Sequence, residues 1–285
     1  MSFRFKFGSP NNVLDNQELL PNKNDIQWFQ SEEILPDQQI ELFDDVVKRA
    51  KMYTYGDLEI GHVEESEVLR NLSGETFTNA AKLATENNSD LLPGKYEGGF
   101  KIWECTHDLI KYLVKHEESI TLKDRHILDL GCGAGILGIY TFLKGSFVTF
   151  QDYNKEVLEY VTIPNMLLNI EEAADRRNSI LRCKFYSGDW DSFNDQLGED
   201  VIYDLILTSE TIYNENNYDK LIRLFTKRLA KSGTIFVAAK TCYFGVGGGI
   251  RQFEKSIKSN NIFNIDVCWK NYDGIRREIL KINKI

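Results

Sequence analysis

The sequence predicts an α/β protein: a mostly parallel sheet covered by helices on both faces, preceded by an N-terminal extension. Three observations carry this reading. From Asp124 onward, short apolar or β-branched runs alternate with segments of helical period; a turn with three glycines joins the first such strand to its helix; and the last two strands are separated only by a hairpin signal.

Residues 1–90 lack that rhythm and are rich in Asn, Gln, Asp and Glu, so they read as a partly ordered extension. Phe3, Phe5 and Phe7 alternate like one face of a short strand, fit either to cap a sheet edge or to dock a partner. Ile40, Phe43 and Val47 form an apolar stripe that predicts a helix over 37–51 packed on the following domain. Leu92-Pro93-Gly94 marks a boundary, which makes 91–285 the main domain. Two glycines before Trp103-Glu104 suggest a loop closing over something, and a helix carrying Leu109, Ile110, Leu113 and Val114 follows. Strands are then expected at 126–130, 147–152, 181–186, 202–208, 233–239, 262–269 and 275–283. Helices are expected at 134–144, 155–169, 217–230 and 249–259. Asn271-Tyr272-Asp273-Gly274 is a hairpin turn, so one edge strand should run antiparallel.

Composition narrows the function classes. With 42% hydrophobic and 27% charged residues, the chain has the make-up of an ordinary globular protein. No run of eighteen apolar residues occurs, so no membrane span is expected, and the Phe-rich, basic start lacks the apolar core of a secretory signal. The expected location is the cytoplasm, with the nucleus as an additional one. The formal charge of −9 disfavours bare nucleic acid and suits a basic protein partner. Five cysteines are widely spaced without a C-x-x-C pair, and His62, His107, His116 and His126 lack ligand spacing. Reduced thiols and no metal are therefore expected.

The chemistry centres on Asp129-Leu130-Gly131-Cys132-Gly133-Ala134-Gly135. Glycines at every second position allow a sharp turn and close approach of a ligand. A dinucleotide turn would read G-x-G-x-x-G; the spacing D-x-G-x-G-x-G, with Asp129 aimed inward, suits a ligand bearing an ammonium and a sulfonium, S-adenosylmethionine (SAM). The alternative is a bare structural turn. In an open α/β sheet, ligands sit beyond the carboxyl ends of the strands. Asp152, 23 residues past Asp129 (152 − 129), stands at the next strand end, where it could accept both ribose hydroxyls or cap a helix. At the third end, Asp189 could accept the adenine amino group and Trp190 could lie against the ring or in the core. The fourth, Ser209-Glu210-Thr211-Ile212-Tyr213-Asn214, puts polar groups where an acceptor would meet the methyl donor.

Together the segments YEGGFKIWECT (96–106), QDYN (151–154), TIPN (162–165), SGDW (187–190), SETIYN (209–214) and YFGVGGG (243–249) resemble the protein-histidine N-methyltransferase family over roughly 90–285. The resemblance implies a Rossmann-like, seven-stranded class I methyltransferase sheet. It implies SAM contacts at Ile102, Trp103, Glu104, Cys105 and Thr106, at Gly131, at Gln151, Asp152 and Tyr153, at Gly188, Asp189 and Trp190, and at Ser209; the turn itself adds Asp129 and Gly133 as candidates. It further implies action on a histidine of a large-subunit ribosomal protein. A monomer is expected. Related lysine methyltransferases carry D-x-x-Y after the fourth strand, where this chain has Glu210-Thr211-Ile212-Tyr213; that departure favours the histidine branch.

Histidine suits such a site. With a pKa of about 6.5, roughly three-quarters of it is neutral at pH 7, against about one lysine in 2,500. The acceptor needs orientation more than deprotonation, and a carboxylate on its far nitrogen would supply that. Glu210 is the candidate, with Tyr213 and Asn214 shaping the pocket; capping a helix or pairing with a cation is its bland alternative. The glycine-rich loop with Tyr243, Phe244, Gly247 and Gly248 is expected to line the substrate cleft, unless it is only a flexible connection. A lysine or small-molecule methyltransferase of the same fold, and a catalytically silent SAM-binding assembly factor, are the rival readings.

Overall fold

The computed structural model describes residues 28–64, 68, 91, 92 and 94–285; Phe3, Phe5, Phe7 and Pro93 lie outside them. A two-stranded hairpin, β1 (Ala50–Tyr55) and β2 (Leu58–Val63), precedes a sheet of β3 (His126–Leu130), β4 (Phe147–Gln151), β5 (Cys183–Tyr186), β6 (Tyr203–Ser209), β7 (Leu229–Lys240), β8 (Phe263–Asn271) and β9 (Arg277–Lys284). The seven strands lie in the order β5-β4-β3-β6-β7-β9-β8. From β5 to β7 neighbours are parallel, and β9 is antiparallel to both β7 and β8. Seven strands with one reversed strand match the sheet that the sequence resemblance implies.

The hairpin signal thus marks a real antiparallel pair, but the reversed strand is not at the edge. Ile279, Leu280 and Ile282 of β9 are fully buried, whereas β8 is mostly half-exposed. The more apolar strand takes the inner position, which leaves β8 outside it. In the middle of the sheet the chain leaves β3 toward β4 on one side and returns to pair β6 on the other. That reversal opens a crevice above the carboxyl ends of the strands.

Three further departures have local causes. The expected helix over 37–51 is two short helices, Asp37–Glu41 and Phe43–Val46, after which the chain extends into β1. Gly56, at φ +65, makes the tight turn between β1 and β2. The extension is also integral: Ile34, Phe43, Tyr55 and Ile60 share one core with Ile127, Ile139 and Phe150. Finally, a helix over Trp190–Gln196 forms where only a strand end was expected, because the Asp189 carboxylate caps it by accepting the Asp191 N–H at 3.0 Å.

The helical segment that follows β4 runs through Lys155–Val157, a π-turn over Leu158–Thr162 and Ile163–Leu168. Pro164 has no N–H to give the preceding turn, and the wider π-turn accommodates it. The side chains it presents hold other elements in place. Asn165 accepts the Val63 N–H at 2.8 Å and donates to the Ala134 carbonyl at 2.9 Å, while Asn169 brackets the backbone of Gly61. One amide therefore ties the hairpin to the glycine turn. Replacing it by Ala (Asn165→Ala) leaves two buried backbone groups unpaired and should destabilise the fold by roughly 1–3 kcal/mol for each. Urea denaturation of the variant beside the parent checks this; an unchanged midpoint would remove the tie.

Candidate active site

Beyond β3 the backbone turns through Gly131 (φ +64), Gly133 (φ +50) and Gly135 (φ +73), a left-handed run open to glycine and strained for other residues. Space forbids a side chain as well: a Cβ on Gly131 would sit 2.6 Å from Thr211 Cγ2. Thr162 donates to the Gly133 carbonyl at 2.6 Å, and Asp152 Oδ2 accepts the Gly133 N–H at 2.9 Å. Above this turn lies a pocket of about 790 Å³, part of it open to solvent.

Its middle is acidic. Asp152 is buried and its carboxyl is pushed up to about 6, chiefly by burial and further by the nearby Glu97, against the pull of backbone N–H donors. Glu97 lines the pocket too, hydrogen-bonded to the Tyr213 hydroxyl; burial raises its carboxyl despite that bond. The far end is aromatic, with Trp28, Tyr153 and Trp190 on its walls beside Asp189. Asp189 forms an ion pair with Lys220 in addition to capping its helix.

The opposite end is walled by Trp103, Thr106, Ser209, Glu210 and Tyr213. The Thr106 and Ser209 hydroxyls meet at 2.7 Å. Glu210 holds an unusual backbone at φ +59, with its N–H on the Ala238 carbonyl at 2.9 Å. Its carboxylate accepts from the Tyr243 hydroxyl at 2.5 Å and lies 3.5 Å from Lys240, which also pairs with Glu104 at 3.1 Å. Lys240 is almost wholly buried, and the two carboxylates outweigh the burial that would otherwise lower its pKa; the net shift is upward.

Most of the residues singled out from the sequence meet at this pocket: Ile102, Trp103, Thr106, Gly131, Gly133, Asp152, Tyr153, Gly188, Asp189, Trp190, Ser209, Glu210 and Tyr213 line it. Others stand one layer behind. Asp129 is not aimed into the pocket: its carboxylate accepts the Gly138 N–H at 2.8 Å at the start of the helix Ile136–Leu143, and burial pushes it up to about 8. Gln151 is fully buried, donating to the Gly188 carbonyl at 2.7 Å and accepting from Trp190 Nε1 at 3.0 Å, so it fixes the aromatic wall from behind. Cys105 and Glu104 sit behind Glu210, with the Cys105 N–H 3.4 Å from that carboxylate. Asn214 caps the turn that follows by accepting the Asn216 N–H at 3.0 Å.

The glycine-rich loop divides. Tyr243 is buried with its hydroxyl on Glu210, and Gly248 lies against the Tyr213 backbone, where a Cβ would come within 2.4 Å of the carbonyl. Phe244, 79% exposed, and Gly247 face outward. Sequence reasoning missed Trp28 and Asn217 as pocket residues, and it quoted Glu97 and Thr211 only within their segments. Trp28 lies some seventy residues before the nearest motif and gave no local signal.

Among the described residues no group of His, Cys, Asp and Glu is arranged to hold a metal, and no helix is long and apolar enough to cross a membrane. Residues 93–247, more than half the chain, match a family model described as lysine methyltransferase. Over 202 residues the chain is 47% identical to a histidine protein methyltransferase 1 homologue of Dictyostelium discoideum, covering 70% of this chain and 62% of that protein, under two thirds of its length. Against the mouse homologue of the same name the identity is 36% over 262 residues, covering 79% and 72%. A protein N-terminal and lysine N-methyltransferase of Cryptococcus neoformans is 29% identical over 48% of this chain and 45% of its own. The chain therefore belongs to the methyltransferase family of that model, within it to the group of the histidine protein methyltransferase 1 homologues.

Proposed function

We propose that this chain transfers the methyl group of SAM to a ring nitrogen of a histidine in a protein acceptor, a basic large-subunit ribosomal protein being the expected one. The kinship with the histidine protein methyltransferase 1 homologues carries the acceptor half of this reading. In it, 91–285 is the catalytic domain and 1–90 an extension. The protein acts as a monomer, in the cytoplasm and also in the nucleus, without binding nucleic acid.

The residues present fit the cofactor. A turn that a Cβ on Gly131 would fill can take the amino-acid end, the Asp152 carboxylate keeps lone pairs for a ribose diol, and the aromatic end matches a purine. SAM supplies an electrophilic methyl on a sulfonium. The chain's part is to hold a neutral imidazole lone pair on the S–CH₃ axis, away from water. The bound cofactor would give up its methyl and keep the bonding electron pair on sulfur, and the methylated ring would release its remaining N–H proton to a carboxylate or to solvent. Glu210 and Tyr213 shape the acceptor end, while Asn214 and Gly248 hold the backbone beneath Tyr213. Phe244 and Gly247, on the exposed part of the loop, and Tyr243 beneath it form the acceptor's cleft. A lysine acceptor is the second reading, because the family model carries that description.

Incubation of the protein with radiolabelled SAM and ribosomes or cell extract, followed by acid hydrolysis, should yield methyl-histidine. Methyl-lysine would transfer the chain to the second reading, and the absence of any labelled amino acid would leave a SAM-binding factor without transfer. Glu210→Gln should cut turnover by roughly 10² while changing SAM affinity little; unchanged turnover would take Glu210 out of the mechanism. Ribose hydroxyls donating to Asp152 favour its ionised form, so binding should release a proton whenever the free site is protonated. Affinity for SAM should thus be flat above the free-site value of about 6 and fall, by up to about tenfold per pH unit, below it. Calorimetric titration across pH 5–8 reads this directly, and a flat profile would exclude Asp152 as the ribose acceptor.

A further inference from the structure

The extension does more than pack. Residues 29–34 run along the end of β5 and the loop after it. The Ile34 N–H donates to the Phe185 carbonyl at 2.8 Å, the Ser187 N–H to Glu32 at 2.9 Å and the Asp189 N–H to Phe29 at 2.9 Å. Gly188 is the point of closest approach, where a Cβ would lie 2.6 Å from the Gln30 carbonyl oxygen. This course delivers Trp28 to the pocket wall. The Lys220 ammonium stands 3.5 Å over the Trp28 ring and is itself paired with Asp189. Tyr153 braces the same point from the other side: it accepts the Phe29 N–H at 3.2 Å, stacks on Phe29 at 5.1 Å, and donates to the Gly94 carbonyl at 2.8 Å.

One turn before Lys220, Asn217 also lines the pocket. It is 6% exposed, and its amide oxygen has no hydrogen-bond partner among the described residues. A buried acceptor left open costs stability unless a ligand donor meets it. Asp189, the sequence's candidate for an amino donor, is already engaged by a helix N–H and by Lys220.

We propose that the adenine of the cofactor is held by Trp28, contributed by the N-terminal extension, and read by Asn217, whose amide oxygen accepts from the exocyclic amino group. The proposal rests on SAM as the cofactor. Trp28 supplies a π-face and Asn217 the one interaction that separates adenine from a purine without the amino donor.

Calorimetry with S-adenosylhomocysteine, on the full chain, tests both parts. Trp28→Ala should raise Kd about tenfold or more, and Trp28→Phe should restore most of the affinity. With 5-fluorotryptophan labelling, four resonances are expected from the four tryptophans, and the one lost in Trp28→Phe should move when the ligand is added. The parent protein should prefer S-adenosylhomocysteine to S-inosylhomocysteine, and Asn217→Leu should erase that preference. A Trp28→Ala Kd within twofold of the parent, or a Trp28 resonance that the ligand leaves in place, overturns the role of Trp28. An adenosyl preference that survives in Asn217→Leu overturns the role of Asn217. If the parent itself fails to bind S-adenosylhomocysteine, the cofactor reading falls, and this proposal with it.

Discussion

The structure depends on one backbone turn, four of whose polar groups are claimed by side chains and strands from elsewhere. Between Leu130 and Ile136, the Cys132 N–H goes to the Gln151 carbonyl, the Gly133 N–H to Asp152, the Gly133 carbonyl takes the Thr162 hydroxyl, and the Ala134 carbonyl takes the Asn165 amide. A left-handed glycine run has little preference of its own for one path, and each of these bonds removes an alternative. The π-turn around Pro164 earns its place here, since it presents Thr162 and Asn165 to the turn from one helical segment. The turn's shape is therefore a tertiary product, and the pocket above it inherits that definition.

What could be read in advance follows from how local the determinants are. The strand-turn-helix at 126–143, the acid after β4 and the parallel core rest on short-range periodicity and on glycine chemistry, and these were legible. The hairpin at 50–63 had a signal, a Gly56-Asp57 turn between two runs rich in β-branched and aromatic residues, but the helical stripe just before it masked the switch of period. The order of the last two strands depends on comparing their burial, since a hairpin signal alone leaves open which of its strands lies inside.

Side-chain roles were harder, because a carboxylate at a strand end has several partners within reach. Asp129, Asp152 and Asp189 occupy equivalent-looking positions, yet one supports a helix start, one remains in the pocket wall, and one caps a helix while pairing with a lysine. Of the three, Asp152 faces the pocket and has no cation partner among the described residues. The difference lies in which partner each carboxylate meets: Gly138 of the following helix for Asp129, and the neighbouring Asp191 N–H with the more distant Lys220 for Asp189. Trp28 is the extreme case, placed by pairing between the extension and the edge of the sheet.

Charge also discriminates among acceptors. The pocket is lined by Glu97, Asp152, Asp189 and Glu210; lysines answer the last two, and the carboxyls of Glu97 and Asp152 are raised by burial. Wherever those carboxyls are ionised, they favour the protonated form of an entering amine, because opposite charge stabilises the cation. A lysine acceptor would then need a base strong enough to take a proton its surroundings favour keeping. A histidine begins mostly neutral at pH 7, and transfer moves the positive charge from sulfur to the ring without changing the total. In the proposed reaction the same carboxylates would favour the cation that forms on a histidine, with Glu210 held in position by Lys240 and the Tyr243 hydroxyl.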